Sequence, residues 1–305
     1  MKTAAPSTDR IELLQTFVRI AEGGSLSAAA ERLNTTQPTV SRRLQALERL
    51  FGVRLLHRST HAASLTPDGE RCLSMARALI EEWQAMEETL GGARLAPSGS
   101  LKVLVPHALG QGQLIEPLAS YMRAFPEVRV EWLLSDRRPD YEAEGFDCAV
   151  QVGDIDDPRL VALPLYQLPR IVVGAPSLLG RKRPPSTPDE LQALPWLALR
   201  TFYLDRVALH HVASGQAHTL PIEPRLSTDS LYALRSAALA GLGAALVSAW
   251  LVADELASGQ LLHLAPEWAA APLPVQLVYP YARFQPARLR RFVEAVKAYG
   301  QAHPM

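Results

Sequence analysis

The sequence predicts an α/β protein with an N-terminal all-α winged helix-turn-helix and a long helix that links the two parts. Short amphipathic helices joined by a tight turn occupy the chain up to Thr66. One apolar stripe at helical spacing then runs from Pro67 to Leu90. From Gly99 onward, apolar strand segments alternate with helical segments, which is typical of α/β domains.

Composition and charge narrow the class of protein. The chain has 305 residues, 48% of them hydrophobic and 20% charged, which is typical of a globular protein of two or three domains. The formal net charge is +0, but the segment up to Arg58 carries nine basic and five acidic residues, a local charge of +4. A basic end on a neutral chain indicates a nucleic-acid-binding surface.

Cysteine count and hydropathy indicate the compartment. Cys72 and Cys148 are too few for a disulfide framework and suit a reducing environment. The first residues lack the apolar segment of a signal peptide, and no apolar run reaches the length of a membrane span. We therefore expect a cytoplasmic protein with no membrane partner.

The N-terminal helices are predicted from apolar periodicity and capping residues. Gly23 and Gly24 end the first helix, and Ser25 is predicted to cap the second. After the turn "NTT", the third helix has Pro38 in its first turn, where a missing N–H costs nothing. The stretch "NTTQPTVSRRLQALERLFG" therefore opens with a polar, basic end and closes with core residues at helical spacing.

The polar start of the third helix is predicted to contact bases in a major groove. Gln37 is suited to pair with adenine and Arg42 with guanine, whereas Thr39 offers a methyl group to thymine. Recognition helices use their N-terminal residues in this way, while free N–H groups at helix starts are suited to phosphates. The alternative is a solvated helix start in an unrelated bundle. The predicted DNA-binding residues are Ser25, Ser27, Thr36, Gln37, Pro38, Thr39, Ser41, Arg42, Arg54, Arg58 and His61.

A short hairpin, the wing, is predicted in "VRLLHRSTHAASLTP", and Thr66 is predicted to cap the long helix that Gly91 and Gly92 end. We expect this helix to form an interchain seam; the alternative is a surface helix packed on its own domain. Its apolar positions step by three or four residues, as in a coiled coil: Cys72, Met75, Leu79, Trp83, Met86 and Leu90. The predicted dimerisation residues are Leu79, Trp83 and Met86.

The α/β part follows the linker "ARLAPSGS". Predicted strands include "LKVLVP", "DCAVQVG", "PWLALR" and "GAALVSA"; predicted helices include "GQGQLIEPLASYMRAFP" and "TDSLYALRSAALAG". This alternation favours a mostly parallel sheet. In "GLGAAL", Gly241 is predicted to end a helix and Gly243 to permit close packing, because the order differs from that of a dinucleotide-binding turn.

The chain strongly resembles the LysR-type transcriptional regulators. The stretch "SLSAAAERLNTTQPTVSRRLQALERLFGVRLLHRSTHAASLTPDGE" matches their DNA-binding domain, with conservative departures at Phe51 and Leu56. "FDCAVQVGD" and "TDSLYALRSAALAGLGAALVSAWLVADELASGQLLHL" are similar to their effector-binding domain, although Ser248 and Ala249 stand where many members carry a proline. The matching N-terminal positions are Ala29-Ala30, Leu33, Gln37-Pro38, Ser41, Leu47-Glu48, Phe51-Gly52, Leu55-Leu56, Arg58, Leu65-Thr66 and Gly69.

The resemblance implies a winged helix-turn-helix in residues 1–66, a dimerising linker helix in 67–92 and a periplasmic-binding-protein-like effector domain in 99–305. Its first lobe would comprise residues 99–166 and 274–305, and its second lobe residues 167–273. The implied function is regulation of transcription. The implied partners are double-stranded promoter DNA, RNA polymerase, a small-molecule effector and further copies of the chain in a dimer or tetramer. No cofactor is expected.

The effector is expected between the lobes, at the carboxyl ends of strands. The start of the helix at Thr228 and Asp229 favours an organic anion, and Phe202 would pack on its apolar part. Phe202 as a core or loop residue and His107 as a hydrogen-bonded loop histidine remain alternatives. The predicted effector-binding residues are Pro106, His107, Gln151, Gly153, Arg200, Thr201, Phe202, Thr228 and Asp229.

Other functions are less well supported by the sequence. His210, His211 and His218 have no cysteine or carboxylate at metal-ligand spacing, so we expect loop histidines and no metal site. No Gly-x-Ser-x-Gly motif is present, and we expect no catalytic residues. A solute-binding protein or small-molecule enzyme, and a DNA-binding protein with a purely structural C-terminal part, are the remaining alternatives.

Overall fold

The computed structural model describes residues 9–57, 64–90, 97–282 and 284–302. The chain divides into two compact units, Met1–Leu95 with Ala282–Ala287 and Ala96–Tyr281 with Arg288–Met305.

The N-terminal unit is helical, and local capping signals set the ends of its helices. Asp9 Oδ1 accepts from Ile11 N at 3.0 Å at the start of the first helix, and Gly24 ends that helix with a φ of 65°. Ser25 Oγ accepts from Ala28 N at 3.1 Å and caps the second helix, as predicted. The helices are α1 Arg10–Gly23, α2 Leu26–Arg32, α3 Gln37–Phe51 and α4 Pro67–Leu90.

The base of the predicted wing is tied to α4 through a close backbone contact. Leu56 and Leu65 form an antiparallel bridge, and Thr66 Oγ1 accepts from Gly69 N at 2.9 Å. A Cβ at Gly69 would lie 2.0 Å from Leu55 O, so only glycine fits there. Thr66 therefore caps α4, as the sequence predicted.

One face of α4 packs on its own unit and another stays exposed. Leu73, Ala76 and Ile80 pack on the buried core around α1 and α3. Cys72, which was predicted to belong to the interchain seam, also lies partly buried there. The exposed apolar residues of α4 are Met75, Leu79, Trp83 and Leu90.

The C-terminal unit is an α/β fold of eleven strands within the described residues. Its strands are β1 Gly99–Val105, β2 Val128–Leu134, β3 Cys148–Val152, β4 Leu160–Gly174, β5 Trp196–Leu199, β6 Arg206–His211, β7 Ala217–Pro221, β8 Pro224–Thr228, β9 Ala245–Ser248, β10 Leu262–His263 and β11 Trp268–Pro280. Its helices are α5 His107–Gln111, α6 Ile115–Ala124, α7 Tyr141–Glu144, α8 Pro176–Leu179, α9 Pro188–Gln192, α10 Leu231–Leu239, α11 Ala253–Ala257 and α12 Ala287–Ala302, with a 3₁₀ turn at Ala249–Val252.

The sheet is mixed, and the prediction of a mostly parallel sheet was wrong. The strand order is β10-β4-β11-β3-β1-β2, with β9 beside β4, the β6–β7 hairpin beside β11, and β5–β8 as a separate parallel pair. Among the described strands, three pairs are parallel and six are antiparallel. The reason is that the long strands β4 and β11 run antiparallel to each other through the whole unit.

Two hydrophobic cores divide the unit into a first and a second lobe, and β4 and β11 cross between them. On β4, Leu168 belongs to the first core and Val172 to the second. On β11, Ala270 belongs to the second core and Val275 to the first. The first lobe also contains β1–β3 and α12; the second contains β5–β9 and α10. The crossover strands bring the carboxyl ends of strands from both lobes toward one cleft.

Several local predictions differ from the structure. The β6–β7 hairpin was not predicted, so His210, His211 and His218 lie in strands and not in loops. The helix predicted from Gly110 is split into α5 and α6 at Gly112, whose φ and ψ are −122° and −100°. By contrast, Gly241 adopts a φ of 72° after α10, as expected for a helix-ending glycine.

The predicted close approach at Gly243 is confirmed. A Cβ on this residue would lie 2.7 Å from Pro195 O, immediately before β5, so a larger residue would displace the backbone. The "GLGAAL" segment is therefore a packing feature between α10 and the strands of the second lobe.

Candidate functional site

The outer face of α3 presents the polar side chains that were predicted to contact DNA. Val40, Leu44 and Leu47 hold the opposite face in the helical core. Arg43 points to α1, where it pairs with Glu12. The predicted residues that remain exposed or half-exposed are Thr36, Gln37, Pro38, Thr39, Ser41 and Arg42.

The start of α3 offers fewer free N–H groups than the sequence suggested. Pro38 has no N–H, and Thr39 N donates to Thr36 O at 3.0 Å. The hydroxyl oxygens of Thr36 and Thr39 lie 2.9 Å apart, so they satisfy each other. This helix start therefore offers side chains, more than backbone N–H groups, for contacts with a partner.

The start of α2 keeps two free N–H groups. Ser25 Oγ is occupied by Ala28 N, but the N–H groups of Leu26 and Ser27 donate to no other described residue. Ser27 is exposed. This helix start is therefore suited to a phosphate oxygen, as expected of the first helix of a helix-turn-helix.

Arg54 is held by an acidic side chain at the base of the wing. Its Nη1 lies 3.2 Å from Oε2 of the buried Glu48, while the Arg54 side chain remains 58% exposed. The guanidinium group therefore keeps a solvent-facing side. Arg58 and His61 lie outside the described residues.

Gln45 was missed by the sequence analysis. It is exposed, and it follows Ser41 and Arg42 by four and three residues, so it extends the same face of α3 by one turn. Its position on the outer face, between the buried Leu44 and Leu47, was a signal available from the helical period.

A cavity of about 320 Å³ lies in the cleft between the two lobes of the C-terminal unit. Residues from the ends of β1, β3 and β5 and from the segment before α10 meet there, as open α/β folds favour. Six predicted effector residues line it: Pro106, Gln151, Gly153, Thr201, Phe202 and Asp229. Phe202 is 40% exposed, which places it at the cavity wall and not in the core.

The other three predicted residues do not line the cavity. His107 donates its backbone N–H to Asp136 Oδ1 at 3.1 Å, and its Nδ1 lies 3.0 Å from Asp136 Oδ2. It therefore positions Asp136, which does line the cavity. Arg200 N donates to Thr228 O at 2.8 Å, a contact that joins the ends of β5 and β8.

The helix expected to begin at Thr228 and Asp229 begins later. Ser230 caps α10, since its Oγ accepts from Ala233 N at 3.3 Å. Thr228 Oγ1 accepts from Ser230 N at 3.1 Å and is thus occupied. Helix caps of this kind compete for the N–H groups that an anion would use, so the expected anion site at Thr228 is weakened.

Four polar residues of the cavity come from the structure and from no sequence motif. Arg170 lies on β4, opposite Ser248 of β9 in the register of these antiparallel strands. Trp250 follows β9, and Ser135 follows β2. Arg170 and Ser248 lie in otherwise apolar strand segments, so periodicity gave no signal; the pairing of β4 with β9 brings them together.

Metal and membrane functions find no support within the described ranges. No cluster of three or more His, Cys, Asp or Glu side chains suited to a metal ion is found among them. Likewise, none of the described helices has the length and apolarity needed to cross a bilayer.

Comparison with known proteins gives the same two-part division. Residues 11–70 match the bacterial regulatory helix-turn-helix protein family, lysR family, and residues 95–301 match the LysR substrate binding domain. The chain is 29% identical to the HTH-type transcriptional regulator PtxR of Pseudomonas aeruginosa over 286 residues, which cover 94% of this chain and 91% of that one. It is 31% identical to an HTH-type transcriptional regulator of Xanthomonas campestris, over 91% of this chain and 82% of that one.

A solved structure shares both parts. The structure of CrgA, a LysR-type transcriptional regulator from Neisseria meningitidis, is 29% identical to this chain and superposes with a TM-score of 0.59, covering 95% and 98% of the two chains. The helix-turn-helix and the ligand-sized cleft define a DNA-binding protein that responds to a small molecule. The chain belongs to the LysR family of transcriptional regulators, whose members bind DNA and are modulated by effectors.

Proposed function

We propose that this chain is a homo-oligomeric regulator that binds promoter DNA in the cytoplasm, has no enzymatic activity, and takes a small organic anion in the cleft between its lobes. The cavity of the C-terminal unit is the observation that carries this proposal. It gathers side chains from both lobes and has the volume of a small-molecule site. The relatives of this chain are transcriptional regulators, which supports a regulatory and not a catalytic use of the cleft.

Ligand binding would act on DNA through the movement of the lobes. β4 and β11 cross between the lobes, so a molecule that contacts both lobes stabilises one relative orientation over others. We propose that α4 carries this difference to the spacing of the DNA-reading helices of a dimer or tetramer. RNA polymerase is the partner through which a bound regulator would change transcription.

On the DNA side, we propose that Gln37 and Arg42 read bases while Ser25, Thr36 and Arg58 mainly hold phosphates. The exposed face of α3 supports the first pair, and the free N–H groups beside Ser25 support a phosphate at α2. Thr36 stands at the junction of the two helices. Ser41, Thr39 and Arg54 would complete the contact surface.

The proposal is tested with the full-length protein and a random library of DNA duplexes. Selection should enrich a pseudo-palindromic sequence, because a two-fold dimer presents two recognition helices to successive major grooves. Small organic acids are then screened by thermal shift, since any molecule that binds the native state raises its apparent stability. A stabilising acid should change the affinity for the selected duplex.

Two outcomes would contradict the proposal. Failure to enrich any duplex sequence would exclude a sequence-specific regulator. Stabilising ligands that never alter the affinity for DNA would favour the alternative in which the C-terminal unit is structural. A neutral ligand that alters DNA affinity would support a ligand-controlled regulator and contradict only the proposal that its effector is an anion.

A further inference from the structure

The charged groups of the cleft cavity fall into a rim and an interior. At the rim, Arg137 pairs with Glu144, and Arg138 Nη2 donates to Asp154 O at 3.1 Å. Arg137 and Arg138 are exposed, so water solvates them as well. These two cations are therefore satisfied without a ligand.

Arg170 is the cation of the interior, and it is not satisfied. It is half-buried on β4, and its Nε donates to Ala271 O at 2.8 Å. Among the described residues, no other hydrogen bond and no ion pair involves this side chain. Partial burial lowers the pKa of Arg170, because its charge is less well solvated there than in water. A half-buried cation without a counter-ion therefore favours an anion beside it.

Much of the remaining wall is apolar, which suits an uncharged ring or chain on the ligand. The apolar lining is contributed by Val150, Leu168, Leu199, Tyr203, Leu246 and Leu273.

We propose that the effector is a small monocarboxylate with an apolar ring or chain, whose carboxylate binds the terminal nitrogens of Arg170. This inference rests on the proposed function of the cleft as the effector site. A guanidinium group matches a carboxylate with two parallel hydrogen bonds. A single interior cation balances one negative charge, which favours a carboxylate over a phosphate dianion.

The anchor proposed here differs from the helix start at Thr228. It lies on the crossover strand, in contact with both lobes, so the carboxylate would sit at the base of the cleft. Asp136 and Asp229 at the rim carry negative charge and would repel a second acid group. A dicarboxylate is therefore disfavoured relative to a monocarboxylate.

The test uses the full-length protein and titration calorimetry with benzoate and hexanoate, each compared with its neutral amide, benzamide or hexanamide. The acids should bind at least about tenfold more tightly than the amides, because a hydrogen-bonded charge is worth about that factor or more. Arg170→Met should weaken binding of the acid about tenfold to a hundredfold.

Two controls separate loss of the anchor from loss of the fold. Arg183→Met removes an exposed cation of the same unit that does not line the cavity, and it should leave the affinity for the acid within about threefold. Without ligand, Arg170→Met should keep a melting temperature near that of the wild type, because loss of the bond to Ala271 O is offset by removal of a half-buried unpaired charge. Equal binding of acids and amides, undiminished binding by Arg170→Met, or no binding of either acid at millimolar concentration would overturn the inference.

The outcome also distinguishes this inference from the proposed function. If a neutral molecule binds the cavity and changes DNA affinity, the regulator stands and the Arg170 anchor falls. If the acids bind through Arg170 but DNA affinity never changes, the anchor stands and the proposed effector role falls.

Discussion

Glu48 Oε1 accepts the backbone N–H of Leu55 at 2.9 Å, and this contact ties the last turn of α3 to the strand that begins the wing. Glu48 is buried to 9% exposure, and its Oε2 also pairs with Arg54. One carboxylate thus positions both a wing strand and a predicted DNA-binding side chain. The N–H group of Leu55 is buried, so water cannot replace Glu48 as its acceptor if the carboxylate is removed.

Glu48→Ala should destabilise the N-terminal unit by about 1.5–3 kcal/mol, the range for a buried hydrogen bond to a charged group. Urea denaturation followed by circular dichroism measures the change. Glu31→Ala, at an exposed position of α2, is the matched control and should change stability by less than about 0.5 kcal/mol. Equal losses in the two variants would remove the structural role of Glu48.

Arg42→Ala should lower affinity for the selected duplex by roughly 1–3 kcal/mol and relax the preference at one base pair. The physical reason is loss of a bidentate contact to a guanine edge. Binding is measured against a panel of duplexes with single-base changes. Arg58→Ala serves as the comparison, since loss of a phosphate contact should weaken all duplexes alike; an Arg42→Ala profile parallel to that of the wild type would reject base reading.

Trp83→Glu should weaken the dimer and its binding to DNA. Trp83 and Leu79 are 40% and 48% exposed on the stripe of α4 that leaves the core, and Met86 is half-buried beside them. Large aromatic side chains at the centre of an interface dominate its energy. Sedimentation velocity over a range of concentrations measures the assembly.

The matched control for Trp83→Glu is Gln84→Glu, which adds the same charge at the next exposed position of α4. It should leave assembly unchanged. If both variants behave like the wild type, the exposed stripe is not an interface, and α4 is only a surface helix of its own unit.

His263 should make the C-terminal unit less stable in mild acid. Its Nε2 is buried without a partner, and burial lowers the pKa of the ring below the ordinary value. The unfolded chain therefore binds the proton more tightly than the folded one, so stability is full above about pH 6.5 and falls as the pH drops below it. Thermal unfolding between about pH 8 and pH 5 measures this.

His263→Gln has no proton to gain in this range, so its melting temperature should fall less steeply with acid than that of the wild type. His57→Gln, at an exposed position in the N-terminal unit, is the control and should keep the wild-type slope. Identical slopes for wild type and His263→Gln would mean that another group titrates.

The helical N-terminal unit could be predicted closely because its signals are local. Asp9, Ser25 and Thr66 cap helices through side-chain oxygens a few residues from the N–H groups that they accept. Gly24 ends a helix through its own backbone conformation. Each signal acts within one turn of chain, so sequence spacing alone locates it.

The effector cleft could be predicted only in part. Strand ends follow from apolar runs, so Pro106, Gln151 and Thr201 were placed correctly at the carboxyl ends of their strands, and all three line the cavity. The prediction that α10 begins at Thr228 was wrong, because Ser230, two residues later, caps this helix. A choice between neighbouring capping residues depends on backbone geometry that the sequence does not state.

The sequence by itself determined the helix-turn-helix, the family and the order of strands and helices apart from the β6–β7 hairpin and the division of α5 from α6. These features follow from local propensity, capping and motif spacing, which act between near neighbours. The tertiary structure alone decided the mixed sheet and the interior of the cleft. Arg170 is one polar residue in an apolar strand of the sequence, but the crossing of β4 places it opposite Ser248 of β9 in the strand register and brings its Nε within 2.8 Å of Ala271 O. Pairing between strands that are distant in sequence depends on how both lobes bury their apolar faces, and that is a property of the whole fold.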